Sequence, residues 1–320
     1  MRRWNHLPGR ADPEGCRVKT TISVVIPTNR GGPYLDEAVG SIKDQAASVD
    51  EVLLVDDGSP EPGLAATAIR LGIRYRRQPA SGLSAARNAG VEHTSGEWIA
   101  FLDDDDVWHP ERIQEQRALI ADHPEAVAVF TGGWYMDTTG APFGGGWPGT
   151  RGARAEFLSG AVDLPRITTL LMRRDAYVAV GGCDSRMEPA EDNDLILRLL
   201  LRGDLVGVDK PLVGYRRHPS NLTAGRNLRG RQASKRVVTA ALRRANAHSD
   251  ESTARLLRTN LHALAQRAAR ENVGDFLDAV RARQWREAGR LAAWGMTIPL
   301  PSAGAVSARL TNRLSRTTAR

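Results

Sequence analysis

The sequence predicts an α/β fold built on a mostly parallel sheet, with helices covering both faces. Short β-branched runs alternate with stretches of helical periodicity from residue 21 to about residue 130, and several of the runs read as buried strands. Three of the runs end in acidic or polar clusters, as expected where strand ends converge on one edge.

In chain order, Thr21 to Ile26 reads as a buried strand stopping at Pro27. Tyr34, Leu35, Ala38, Val39 and Ile42 recur on one helical face, with Pro33 where a first turn tolerates it. Glu51 to Val55 is a second strand, closed by the turn cluster Asp56-Asp57-Gly58-Ser59-Pro60. A helix follows over Gly63 to Leu71, a strand near Ile73 to Arg76, a helix over Ser84 to Val91 and the strand Trp98 to Leu102. A helix from Pro110 carries Ile113, Leu119 and Ile120 inward, and Ala126 to Phe130 is one more strand. Thr138 to Gly152, rich in Gly, Pro and Trp, reads as a long functional loop near the carboxyl edge of the sheet. Helix resumes over Asn193 to Leu201, and a strand over Leu205 to Val208. From Arg226 only helices are predicted, one placing Leu256, Leu257, Leu261 and Leu264 on a face, before a basic tail from Pro299.

The 320 residues, 41% hydrophobic and 25% charged, have the balance of a soluble globular chain. No run approaches the ~18 apolar residues of a membrane span, and the basic start has no apolar stretch behind it, so neither a span nor a secretion signal is expected. Cys16 and Cys183 lie far apart without metal-ligand spacing, which argues for reduced thiols in a cytoplasmic setting. A net charge of +7 admits nucleic acid, an anionic membrane surface or a phosphorylated small molecule as partner. The Arg-dense segment after Arg226 lacks the interleaved aromatics of a base-stacking platform, so nucleic-acid binding ranks behind the other two.

Chemistry concentrates in the acidic turns. The carboxylates of Asp103, Asp104, Asp105 and Asp106 repel one another unless a cation neutralises them, and an oxygen-rich cluster suits Mg²⁺ or Mn²⁺ with a diphosphate. The competing reading is a solvated turn capping the helix at Pro110, with Asp106 as the cap. Neither a G-x-x-x-x-G-K loop nor a G-x-G-x-x-G fingerprint is present, which leaves a nucleotidyltransferase on a similar scaffold as a distant rival.

Ser23 to Thr28, Val55 to Ser59, Gly82 to Gly90 and Gly96 to Asp106, followed by Arg173-Arg174, Val180 to Asp184, Glu191-Asp192, Tyr215 to His218 and Thr223, resemble in order and spacing the family 2 glycosyltransferases of GT-A fold. Cys183 stands where the family commonly has an aromatic. The resemblance implies inverting transfer of a sugar from a nucleotide donor to a hydroxyl acceptor, dependent on Mn²⁺ or Mg²⁺. It assigns Asp57 to the nucleotide base, with Pro27 and Thr28 in the same pocket. A carboxylate accepts the imide N–H of uracil or thymine, which favours a UDP- or dTDP-sugar. Asp56 is expected to be structural, and Arg87 to contact a phosphate or an acidic loop. Asp103 and Asp104 fall to the ribose or sugar, Asp105 and His218 to the metal, and Asp192 to the general base, with Glu191 beside it and Arg198 orienting it.

The expected organisation is a tail over 1–20, a catalytic domain over 21–223 and a helical region over 224–320. Arg-rich helices bearing Trp285 and Trp294 fit acceptor handling or peripheral attachment to an anionic inner membrane face.

Overall fold

The computed structural model describes residues 20–60, 63–149, 152–218, 221 and 228–295. Thr223, with the expected domain boundary beside it, and the expected tail from Pro299 lie outside these residues. An eight-stranded sheet forms from β1 (Ile22–Thr28), β2 (Glu51–Asp57), β3 (Arg74–Gln78), β4 (Trp98–Phe101), β5 (Val107–Trp108), β6 (Ala128–Met136), β7 (Leu170–Arg173) and β8 (Leu205–Arg216), in the order β3-β2-β1-β4-β7-β6-β8-β5. β1 to β4 run parallel, β7 is antiparallel between β4 and β6, and β8 is parallel to β6. Two reversals across β7 restore direction, so β1, β2, β4, β6 and β8 all end at one edge. There the acidic turns and the Tyr215 to His218 segment meet.

Strand alternation divides the interior into two cores. Val25, Leu53, Val55, Ile99 and Phe101 pack with Ala86 and Val91 of α3 (Leu83–Glu92) and with Leu195 to Leu200 of α7 (Glu191–Leu200). Ile22, Val24, Ile26, Leu54 and Ala100 face the other way. They meet Leu35 to Ile42 of α1 (Leu35–Lys43), Leu64 and Ala68 of α2 (Leu64–Arg70), and Ile113 and Ile120 of α4 (Arg112–Asp122). The first core continues under α8 (Leu228–Ala247) and the start of α9 (Glu251–Arg281) through Ala233, Val237, Ala241, Ala254 and Leu257. α10 (Trp285–Gly295) folds back on α9 through Ala279, Ala288 and Leu291.

Some boundaries differ from those predicted. β1 continues through Pro27 to Thr28, because its pairing with β4 ends at Val25 and a missing N–H is tolerated beyond that point. β6 and β8 pair to Met136 and Arg216, past the predicted ends at Phe130 and Val208, with register shifts around Gly132 and Gly133 that the apolar pattern does not announce. β5 and β7 went unpredicted, being too short to display a period. So did α5 (Arg154–Ser159) and α6 (Arg174–Ala179).

At the opposite edge Glu51 ties three segments together. Its carboxylate accepts from the Ser23 hydroxyl at 2.7 Å and from the Gly96 amide at 3.2 Å, takes the Ser95 amide as well, and pairs with Arg74. Burial raises its pKa, but the Ser95, Ser23 and Gly96 hydrogen bonds outweigh burial and hold the carboxyl at about 2. A depressed pKa stabilises the fold above the unfolded value, and that contribution is lost as pH falls from about 4.5 toward 2. Glu51→Gln is therefore expected to cost about 1–2 kcal/mol near neutrality. Urea titrations of both proteins should show this difference shrinking through that acid window; a difference independent of pH would refute it.

Candidate active site

β1 and β2 deliver the first half of the site. Asp56 is fully buried and accepts from the Ser59 amide at 2.7 Å, the Tyr75 hydroxyl at 2.7 Å and Arg77 at 3.0 Å, so it is structural, as expected. Gly58 makes the turn at φ +72°, where a β-carbon would also strike the Ala80 amide nitrogen at 2.6 Å. Asp57 faces the edge. One of its oxygens accepts from Gln78 and the Ser81 amide, the other from the Gly82 amide, each at 2.8 Å. A carboxylate offers about four acceptor directions, of which these bonds take three. Thr28 donates its hydroxyl to Asp104 and receives the Gly31 amide at 2.9 Å, linking the Pro27-Thr28 strand end to the acidic turn.

Within that turn each carboxyl has a different environment. Burial, reinforced by Asp105 and Asp103, pushes Asp104 up to about 6 despite the Thr28 hydrogen bond. Asp105 is raised by burial and by Asp103, against the pull of His218. Its Oδ2 lies 2.9 Å from His218 Nε2 and 4.0 Å from Arg30. Asp106 does not cap the helix. α4 starts behind Glu111 without a side-chain cap, and Asp106 is fully buried, accepting the Arg216 amide at 3.0 Å. Burial raises its pKa well above the ordinary range.

Arg216 lies within the Tyr215 to His218 segment, in which the sequence assigns a role only to His218. Arg216 is 1% exposed, donates to the Asp105 carbonyl at 2.9 Å, pairs with Glu37 and lies 4.2 Å over the Tyr34 ring, which in turn stacks on His218 at 5.8 Å. Strand alternation carries the signal: in β8, Arg216 must face away from Tyr215.

The second half of the site comes from α3 and α7. Arg87, 2% exposed, donates to Asp103 at 3.2 Å and to Glu191 at 3.3 Å, which joins the acidic turn to the first turn of α7. Of the two contacts expected for Arg87, the acidic one is present. Burial lowers its pKa, but Asp103 and the acids of α7 outweigh it and raise the net value. Asp192 is half-buried beside Glu191 and takes the Asn193 amide at 2.7 Å. Burial raises both carboxyls, with Arg87 pulling each back. Arg198 does not orient Asp192; its Nε donates to the fully buried Asp194 at 2.8 Å, with further bonds to the Val180 and Gly182 carbonyls. The i,i+4 spacing in α7 dictates that pairing.

Among the described residues no group of three or more His, Cys, Asp or Glu side chains converges as a metal cage. Asp105 and His218 nevertheless present a carboxylate oxygen and an imidazole nitrogen to each other, beside Asp103, whose charge raises Asp105. Two protein ligands suit a divalent ion that takes its remaining ligands from phosphate oxygens and water.

This sheet, with its acidic turn at the carboxyl edge, is of the GT-A type. A UDP-GlcNAc complex of S. aureus TarS 1-349 superposes with a TM-score of 0.57 at 17% identity, over 75% of this chain and 72% of that one. Residues 23–179 match the family model described as glycosyl transferase family 2. The chain is similar to an uncharacterized glycosyltransferase of Rickettsia conorii (30% identity over 37% of this chain and 20% of the relative). An uncharacterized glycosyltransferase of Haemophilus influenzae is 23% identical over 56% of this chain and 62% of its own length. Bacillus subtilis TuaG, a putative teichuronic acid biosynthesis glycosyltransferase, is 29% identical over 39% and 51%. The chain thus spans only part of these relatives.

Arg87→Met should leave Asp103 and Glu191 facing each other without a cation and lower stability by roughly 2–4 kcal/mol. Arg87→Lys should recover only part, since one ammonium cannot reproduce the fork. Urea midpoints of both variants measure this; an unchanged midpoint for the Met variant would rule out the strut.

Proposed function

We propose that the chain transfers a sugar, with inversion, from a UDP- or dTDP-sugar to an acceptor hydroxyl. The observation that carries this is the Arg87 bridge, which holds the acidic turn and the Glu191-Asp192 turn on either side of one edge. Asp57, with three of its acceptor directions taken, receives the base N–H, and Pro27 and Thr28 line the same pocket. TarS complexes with UDP and with UDP-GlcNAc support a uridine donor. Asp103 and Asp104 face the ribose and sugar. Asp105 and His218 would hold Mn²⁺ or Mg²⁺, whose chemistry is to neutralise a departing diphosphate.

Asp192 then takes the proton of the acceptor hydroxyl as its oxygen attacks the anomeric carbon from the face opposite the diphosphate. Glu191, held by Arg87, keeps that turn in place, while Arg198 anchors α7 through Asp194. A base must be deprotonated to act. Because burial raises Asp192, the acid limb of kcat should lie above the ordinary aspartate value of about 3.9.

Asp192→Asn keeps the shape and removes the proton acceptor. It should lower kcat about 10²–10⁴-fold and abolish that acid limb, while UDP or dTDP raises Tm as in the parent. Near-normal kcat in this variant, or no stabilisation of the parent by any nucleotide of a UDP, dTDP, GDP and CDP panel, would defeat the reading.

Among the described residues no helix is long and apolar enough to cross a membrane. Peripheral attachment instead rests on α10, where Trp285 is 66% exposed beside Arg283, Arg286 and Arg290. Flotation with liposomes should show a preference for anionic lipid that Trp285→Ser weakens. Equal recovery with neutral vesicles would remove this attachment.

A further inference from the structure

Beside the Asp105–His218 pair, the same edge carries a second constellation. Tyr135 of β6, Tyr215 of β8 and Trp147 of the 138–152 loop form a three-sided cluster. Tyr135 lies 5.1 Å from Trp147 and 6.2 Å from Tyr215 between ring centroids, and Trp147 lies 6.4 Å from Tyr215. Phe143, 42% exposed, extends it at 6.3 Å from Tyr135. Strand alternation builds this shelf. Tyr135 pairs with Tyr215, and the loop folds back so that Gly133 bridges Trp147, its lack of a β-carbon admitting the indole.

Two cations stand on these rings. Arg166, just before β7, lies 4.2 Å over Trp147 and 4.8 Å over Tyr215, and donates to the Tyr135 hydroxyl at 2.8 Å. Arg217 lies 5.5 Å over Tyr135 from an exposed position. Among the described residues neither forms an ion pair. The nearby carboxylates have other hydrogen-bond or ion-pair partners: Asp105 with His218, Asp106 with the Arg216 amide although the Arg166 charge also reaches it, Asp137 within its own turn and Asp163 with Arg267. A guanidinium fork left over an aromatic shelf is matched by an oxyanion. Flat rings with polar rims suit the C–H face of a pyranose. Arg217 follows Arg216, which holds Asp105, so whatever binds here is adjacent to the transfer site.

We infer that Tyr135, Trp147 and Tyr215, with Arg166 and Arg217, form an acceptor subsite for a saccharide bearing a carboxylate or phosphate. This rests on the proposed transferase reading and narrows its acceptor to an anionic glycan. The rings hold the sugar by stacking, and the two guanidiniums select its charge.

The test titrates the full chain, saturated with UDP, with trigalacturonate, with its carboxyl-reduced neutral counterpart and with a phosphorylated hexose oligomer. At least one acidic probe should bind about tenfold or more tightly than the neutral one, and which of them does so identifies the anion. Arg166→Gln and Arg217→Gln should each erase most of that preference, and Trp147→Ala should weaken acidic and neutral probes alike. The exposed Arg217 keeps the test decisive if the Arg166 variant fails to fold. Equal binding of acidic and neutral probes, no binding of any, or a preference untouched by Arg217→Gln would overturn the inference. UDP affinity of the parent, measured without saccharide, separates the two readings. Tight UDP binding without acidic preference sinks the subsite alone; absent UDP binding sinks the donor reading, and titration without UDP then decides the subsite.

Discussion

A buried guanidinium sets the geometry of this edge. Arg87 comes from α3, which is packed under β1 and β2, and its fork reaches the acidic turn after β4 on one side and the first turn of α7 on the other. Taking an arginine out of water is costly unless the charge is matched. Here Asp103 and Glu191 match it. Arg87 and Glu191 lie 104 residues apart in sequence, and through Arg87 the acidic turn is joined to the first turn of α7.

Arg216 acts similarly on the other flank. Together with the Asp106 carboxyl it locks the end of β8 to the acidic turn, so that His218 is presented to Asp105 and Tyr34 closes over the imidazole. The acidic turn and the Glu191-Asp192 turn are therefore mounted on a strand end and a first helical turn, and are braced by Arg216 and Arg87. That suits chemistry in which a base and a leaving group must stay on opposite faces of one carbon.

Much of this was legible in the sequence, for identifiable reasons. The alternation of buried runs and helical faces gave the sheet, because both periods are long enough to read from Ile22 to Ile120. The Asp103 to Asp105 turn stood out as consecutive charges directly after an apolar strand, whereas the roles of Asp57, Glu191 and Asp192 came only from the resemblance to family 2 glycosyltransferases. Partners were not legible. That Arg198 serves Asp194 rather than Asp192, and that Asp106 turns inward to Arg216 instead of capping α4, depend on which side chain a fold buries. β5 and β7, of two and four residues, carry no periodic signal at all. The shelf of Tyr135, Trp147 and Tyr215 depends on a register shift near Gly132, which residue order does not encode in any simple pattern.

If Asp192 and the acidic turn flank one sugar, the displacement is single and the anomeric centre inverts. Proton NMR of the first-turnover product, made from the nucleotide sugar that the protein accepts, reads this directly from the coupling of the anomeric proton. A configuration opposite to that of the donor is expected, and a retained configuration would contradict the assignment of Asp192 and the inverting geometry with it.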